Sequence, residues 1–284
     1  MILREALQSA VQTLLRKGID DASAEAELLL GHVLGMSKTQ LYTEPEKVLT
    51  STEISQLWSL IQRRLNHEPA AYILGHCEFY GIDLYLNCHT FIPRPETELL
   101  VEQAVELAQR ISRPGKGITI ADIGTGCGAI AVCLALALPQ AEIYATDISA
   151  PALHVAEMNC RRHAVSRQVK LLQGNSLEPL SQPVDMIVAN LPYIKDSEIK
   201  DMSPEIVNFE PMSALAGGLD GLGTIQRILG QMPEKLNYGG CFLLEIGQGQ
   251  GREVTALIGG YFPQASIEFI SDLGGIERVV KVEL

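Results

Sequence analysis

Residues 118–128 read Ile-Thr-Ile-Ala-Asp-Ile-Gly-Thr-Gly-Cys-Gly, and the order of these residue types decides the fold. The first six, rich in β-branched residues, predict a strand. Gly124, Thr125, Gly126, Cys127 and Gly128 predict a glycine-rich turn, and Ala129 to Leu138 a helix that Pro139 ends. Glycines let backbone approach a ligand closely above a helix N-terminus, where free N–H groups point outward. A second strand over residues 142–146 ends at Asp147, 23 residues after Gly124. An acidic residue there is placed to accept both hydroxyls of a ribose. The turn alone is common to dinucleotide folds. Strand, turn, helix, strand and acid in register leave a nicotinamide dinucleotide or S-adenosylmethionine as the cofactor.

The alternation continues outward. Residues 169–172 predict a third strand leading into Gly174, Asn175 and Ser176, where an adenine ring can be hydrogen-bonded. Residues 185–194, Asp-Met-Ile-Val-Ala-Asn-Leu-Pro-Tyr-Ile, hold the fourth. Its continuous apolar run suits a strand buried on both faces. Pro192 has no N–H to give a ladder and pushes Leu191 towards an extended conformation. The chain thus leaves the sheet at its carboxyl edge, where open α/β sheets place their ligands. It carries there an amide, two backbone carbonyls and an aromatic ring. That set suits a planar NH₂ group: the Asn190 side-chain oxygen and the Leu191 carbonyl each accept one N–H, and the Tyr193 ring covers the flat face.

Towards the N-terminus the pattern turns helical. Leu3, Leu7, Val11 and Leu14 stand at helical spacing before Gly18, and residues 22–34 predict a second helix before Gly35. Thr50 and Glu53 fit a capping box opening a third long helix, with Ile54, Leu57, Trp58, Ile61 and Leu65 on one face. The expected organisation is a helical bundle over residues 1–74, a linker with a β-hairpin turning at Gly81-Ile82 over 75–92, and the α/β domain over 93–284. Residues 91–98, Phe-Ile-Pro-Arg-Pro-Glu-Thr-Glu, begin that domain, with Pro95 placed to start a helix reaching about Ile111. Arg94 lies in an extended segment between two prolines, free to pair with a carboxylate from elsewhere or with a substrate.

Composition bounds the function. The formal charge is −12. Residues 1–75 hold 7 Lys/Arg and 9 Asp/Glu, net −2, and residues 76–284 hold 15 and 25, net −10. So acidic a chain lacks the basic footprint of a phosphate-backbone binder, which argues against direct nucleic-acid binding. No run of 18 apolar residues and no signal-peptide pattern is present, so a cytoplasmic protein with no membrane association is expected. The six cysteines show no CxxC spacing and are expected as free buried thiols. His76-Cys77 and Cys88-His89 flank the hairpin, but adjacent strand residues face opposite ways, so no metal is expected.

Residues 122–128, Asp147 and Asn190-Leu-Pro-Tyr193 resemble S-adenosylmethionine-dependent methyltransferases acting on planar amino groups. Residues 68–75 (Glu-Pro-Ala-Ala-Tyr-Ile-Leu-Gly), 91–98, 210–221, 245–251 and 272–280 narrow the resemblance to the glutamine N5-methyltransferases of peptide chain release factors. It spans nearly the whole chain. It implies a Rossmann-like class I methyltransferase fold, a mostly parallel seven-stranded sheet with a small N-terminal all-helical domain. Because the catalytic sheet is complete without it, that domain is expected to help grip the protein substrate. It also implies S-adenosylmethionine as cofactor, class 1 release factors as partners, and the glutamine of their Gly-Gly-Gln loop as methyl acceptor. By the same resemblance Gly124, Thr125, Gly126, Cys127, Gly128, Asp147, Asn175, Ser176 and Asn190 bind the cofactor. Asn190, Leu191, Pro192 and Tyr193 hold the glutamine amide, with Arg94 a further substrate contact. Leu191 departs from the family's usual proline and matches a form seen in ribosomal RNA adenine dimethyltransferases. An adenine-N6 nucleic-acid methyltransferase and a ribosomal-protein glutamine methyltransferase are the alternatives.

Overall fold

The computed structural model describes residues 1–112 and 117–284. The chain divides into two compact units, Met1–His76 with Pro204–Phe209, and Cys77–Ser203 with Glu210–Leu284.

The first unit is helical: α1 Leu3–Arg16, α2 Ala22–Leu34, α3 Lys38–Thr43, α4 Ser51–Leu65 and α5 Ala70–Leu74. The Thr50–Glu53 capping box forms as expected, Thr50 Oγ1 accepting from Glu53 N at 3.2 Å and Glu53 Oε2 accepting from Thr50 N at 2.7 Å. A second box at Ser37 and Gln40 starts α3, which the sequence reading passed over. Residues 68–75 contain α5, a short helix at the end of the bundle, which Gly75 ends in the left-handed conformation. On α1 the buried positions are Leu3, Ala6, Ala10 and Leu14, with Leu7 and Val11 half-buried. The seam therefore runs through alanines, which let the helices approach closely. Arg64, only 2 % exposed, binds Glu25 through Nε at 2.5 Å and also pairs with Glu205. That ion pair joins Pro204–Phe209 to the helical unit, a contact across 141 residues of sequence that no local pattern announces.

After α5 comes a hairpin, β1 His76–Phe79 and β2 Ile82–Tyr85, turning at Tyr80 and Gly81 (φ 51° and 73°), one residue earlier than expected. There follow α6 Glu96–Ile111, β3 Thr119–Ile123, α7 Ala129–Ala137, β4 Glu142–Asp147, α8 Ala150–Arg162, β5 Val169–Gln173 and β6 Val184–Ala189. Beyond it lie α9 Asp196–Ile199, the already placed α10 Pro204–Phe209, a 3-10 turn Met212–Ala214, α11 Gly223–Lys235 and β7 Leu236–Glu245. The chain closes with α12 Gly251–Tyr261, β8 Ser266–Ser271 and β9 Glu277–Glu283. Seven strands form one sheet in the order β5-β4-β3-β6-β7-β9-β8, parallel from β5 to β7, with β9 antiparallel to both β7 and β8. Ala121, Ile187, Ala189, Phe242 and Leu244 pack with Ile225, Ile228 and Leu229 of α11 and Val254 and Ile258 of α12. The alternate residues Ile120, Met186, Val188 and Leu243 are equally buried, so this part of the sheet is covered on both faces.

β3 pairs with β4 on one side and β6 on the other, with Ile123 level with both Thr146 and Ala189. The chain moves outward from β3 to β5, then returns to the other side of β3. That reversal opens a crevice at the carboxyl ends of β3 and β6.

Candidate active site

The crevice is a cleft bordered by Gly124, Thr125, Gly126, Cys127, Asp147, Asn175, Ser176, Asn190, Leu191, Pro192 and Tyr193. Eleven residues singled out by sequence thus meet at one edge, although they come from four separate segments.

The glycine turn folds back over the end of β4. Gly124 N and Thr125 N both donate to the Thr146 carbonyl at 2.9 Å. Gly124 and Gly126 take φ of 71° and 57°, which a side chain would strain. A Cβ at Gly124 would also stand 3.4 Å from Leu191 Cδ2. The two loops of the site therefore touch, and the Leu191 side chain, 5 % exposed, belongs to the sheet core.

Asp147 organises this half of the site. Its Oδ2 accepts from Gly126 N at 2.9 Å and its Oδ1 from Ser149 N at 2.8 Å. Each carboxylate oxygen has two lone pairs, so one on each remains for a hydroxyl, which fits a ribose. Asn175 and Ser176 follow β5; the Ser176 carbonyl accepts from Thr146 Oγ1 at 2.9 Å. Asp122, fully buried beneath the turn, accepts from Thr125 Oγ1 at 2.6 Å and Ala131 N at 3.1 Å, both through Oδ2. Its Oδ1 has no partner among the described residues. Burial pushes its carboxyl up to about 7, more than the two hydrogen bonds lower it.

Two sequence-derived positions lie elsewhere. Gly128 does not border the cleft; a Cβ there would stand 3.1 Å from the Ala156 Cβ of α8, so it lets α7 and α8 meet. Arg94 is not a cleft residue either. Its guanidinium pairs with the buried Glu210 and lies 4.6 Å from the Phe91 ring centroid. The carboxylate from elsewhere is therefore Glu210, whose Oε2 also accepts from Ile92 N at 3.2 Å. Cys88 is exposed and Cys77 half-buried, contrary to the expectation of six buried thiols. Among the described residues no group of three or more His, Cys, Asp or Glu could hold a metal ion. Nor is any helix there long and apolar enough to cross a membrane.

The Asn190 half rests on residues that sequence reasoning missed as a group. Asn190 Nδ2 donates to Thr97 Oγ1 at 2.9 Å. Thr97 Oγ1 donates to Glu245 Oε2 at 2.7 Å, and Tyr193 Oη donates to Glu245 Oε1 at 3.3 Å. Burial pushes Glu245 up to about 7, against the lowering effect of those two donors, and pushes the Tyr193 hydroxyl up as well. The backbone after Pro192 is gripped too. Ile194 N donates to the Leu215 carbonyl at 3.2 Å and Gly217 N to the Ile194 carbonyl at 2.8 Å. Gln250 Nε2 donates to the Tyr193 carbonyl at 3.1 Å. A Cβ at Gly221 would stand 2.4 Å from that same carbonyl oxygen, so only glycine fits. The unusual stretches 91–98, 210–221 and 245–251 thus all converge on the Asn190 loop.

Asn159 of α8 is a further residue missed. Fully buried, it accepts from Tyr85 N at 2.8 Å and donates to the carbonyls of Tyr85 at 3.0 Å and Cys127 at 2.8 Å. It ties the hairpin to the glycine turn. Its only sequence signal was an amide inside an otherwise apolar helix face.

Comparison with known proteins gives matches over most of the chain. A family described as PrmC N-terminal domain matches residues 5–75, and one described as Methyltransferase small domain matches residues 97–210. The chain is 40% identical over 259 residues to the release factor glutamine methyltransferase of Thermodesulfovibrio yellowstonii, covering 90% of each chain. It is 38% identical over 279 residues to that of Moorella thermoacetica, covering 98% of this chain and 97% of the relative. Among solved structures, a ribosomal protein L11 methylase from Lactobacillus delbrueckii subsp. bulgaricus superposes with a TM-score of 0.51 at 19% identity. It covers 69% of this chain and 82% of that one, a likeness of fold alone.

Proposed function

Because the chain belongs to the release factor glutamine methyltransferase family, we propose that it methylates the side-chain nitrogen of the glutamine in the Gly-Gly-Gln loop of class 1 release factors. The observation that carries this reading is that Asn190 and the Asp147-tethered glycine turn border one cleft. An amide acceptor and a ribose acceptor thereby face the same space.

S-adenosylmethionine supplies an electrophilic methyl group when bound. The Asp147 carboxylate would take its ribose hydroxyls, the turn at Gly124, Thr125, Gly126 and Cys127 its amino-acid end, and Asn175 and Ser176 its adenine. Leu191 matches the adenine-methylating form in residue type, yet the group it offers is a backbone carbonyl, the same as a proline would offer. Its side chain faces the core instead.

A primary amide nitrogen is a poor nucleophile because its lone pair is delocalised into the carbonyl. What the protein can contribute is alignment. The Asn190 oxygen and the Leu191 carbonyl accept the two N–H bonds, and Tyr193 covers the amide face. Held so, the nitrogen lone pair points along one line, and the acceptors stabilise positive charge as it grows on nitrogen. His89 borders the cleft, but among the described residues the Asn190 side chain is hydrogen-bonded to Thr97 and to no histidine or lysine. The helical unit is assigned to gripping the protein substrate, because the seven-stranded sheet is complete without it.

The test is methyl transfer from labelled S-adenosylmethionine to a purified release factor and to its loop Gln→Ala variant. Label is expected on the first and not on the second. Labelling of ribosomal RNA or a ribosomal protein in place of the release factor would replace this reading with one of the alternatives.

A further inference from the structure

An amide side chain is nearly symmetric in shape and can present either its oxygen or its NH₂ to a ligand. Asn190 serves the reaction proposed above only with oxygen forward. The order of donors and acceptors behind it removes the choice. Glu245, the last residue of β7, is 2 % exposed, and in its ionised form, the one that prevails above about pH 7, it has no proton to give. Its Oε2 lies 2.7 Å from Thr97 Oγ1, so the single hydroxyl proton of Thr97 is committed there. Towards Asn190, 2.9 Å away, Thr97 Oγ1 can then only accept. The group of Asn190 able to donate is its NH₂. Reversed, the amide oxygen would face a hydroxyl oxygen with no proton left, two acceptors in contact. With Nδ2 held by Thr97, Asn190 Oδ1 has no partner among the described residues and is left for the cleft that Asn190 borders. The other oxygen of the same carboxylate receives the Tyr193 hydroxyl.

We propose that Thr97 and Glu245 are positioning residues: one buried carboxylate, acting through a threonine hydroxyl, sets which end of the Asn190 amide faces the substrate nitrogen and holds the Tyr193 ring beside it. This rests on the methyltransferase reading of the Asn190 loop. Neither residue takes part in bond making. Thr97, on the first turn of α6, is 4 % exposed, and its hydroxyl is engaged on both sides.

Three variants separate orientation from bulk. Thr97→Val keeps the shape and removes the hydroxyl; Thr97→Ser keeps the hydroxyl and removes the methyl; Glu245→Gln keeps the size and introduces a donor towards Thr97. Single-turnover methyl transfer to the release factor at saturating cofactor is read together with KM for the release factor and cofactor affinity. Thr97→Val and Glu245→Gln are expected to lower the transfer rate about 10²-fold, a typical loss when a reacting group is misplaced. KM and cofactor affinity should change less than threefold. Thr97→Ser should stay within about threefold of the parent rate. Equal damage from Thr97→Ser and Thr97→Val would assign the effect to packing and overturn the proposal, as would an unchanged rate in Glu245→Gln. The second readout needs no turnover: proton exchange of the Asn190 side-chain amide, followed by ¹⁵N-resolved NMR on the full chain. It should quicken at least tenfold in Thr97→Val or Glu245→Gln, whichever folds. Protection that survives both changes refutes the relay. Should the wild-type protein label no release factor, the function proposed above fails, and the exchange measurement alone still decides the relay.

Discussion

Replacing Asp147 with alanine removes two sets of acceptors at once. The first set is visible: Gly126 N–H at 2.9 Å and Ser149 N–H at 2.8 Å lose their partner. The second is the pair of lone pairs proposed for the ribose. A hydrogen bond to a charged group contributes about 1.5–3 kcal/mol. Asp147 is half-buried, so each N–H released can turn to water, and the two together are worth about 1–3 kcal/mol of stability. At about 2–4 °C per kcal/mol for a domain of this size, melting should fall by roughly 2–12 °C. Loss of the ribose contacts should add about 1.5–3 kcal/mol to binding, raising the cofactor Kd by roughly 10- to 150-fold. Titration calorimetry at a temperature well below the lowered melting point measures the second effect without the first. Asp147→Asn is the control: its NH₂ would oppose one of the two backbone donors, so it should recover little of either loss. A Kd within twofold of wild type in Asp147→Ala would remove this carboxylate from the cofactor site. An unchanged melting temperature would show that the turn does not depend on it.

Asn190→Ala should lower single-turnover methyl transfer by roughly 10²–10³, the usual effect of deleting one aligned polar group from a reacting site; near-parental turnover would mean the amide is not held as described. Leu191→Pro should leave the transfer rate within a few-fold, since the carbonyl stays, but it exchanges a core leucine for a smaller ring. The expected loss is about 1–2 kcal/mol in denaturant unfolding, partly offset by proline's stiffening of the unfolded chain, and a gain in stability would refute the packing role. The transfer rate should fall as pH drops through about 7, where Glu245 takes up a proton and ceases to be an obligatory acceptor for Thr97 and Tyr193. The charged groups that also act on it are Glu96 of α6, which raises its affinity for protons, and Arg278 of β9, which lowers it; the limb should flatten in Glu245→Gln, and persistence there would exclude Glu245 as its source. Stability moves the other way: the folded-state values of Asp122 and Glu245 lie above their ordinary ones, so their contribution is full below about pH 4 and lost as pH rises through about 7. Thermal melts between pH 5 and 8 should show this decline, and it should shrink in Glu245→Gln.

The sequence by itself determined those features whose cause lies within a few residues. The glycine turn needs positive φ at Gly124 and Gly126, and only glycine adopts it without strain. The Thr50 helix start is set by local capping, the Pro95 start by proline's fixed φ, and the apolar run of β6 by double-sided burial. The cleft residues were legible for the same reason, each standing at the end of a strand the pattern already marked. Past Tyr193 no periodicity was read, and β7, β8 and β9 followed only from resemblance to a known family. Tertiary structure alone decided which long-range partners those residues meet. Thr97 and Glu245 are 148 positions apart, Arg94 and Glu210 116, and Arg64 and Glu205 141. A hydrogen bond acts over about 3 Å and carries no mark in composition or spacing, so nothing local told that Thr97 stands behind Asn190. Nor did it tell that Leu191 packs inward, or that Gly128 serves the contact between α7 and α8 rather than the cleft. Those assignments depend on the strand order, which brings β6 beside both β3 and β7 and so sets the carboxyl ends of three strands side by side.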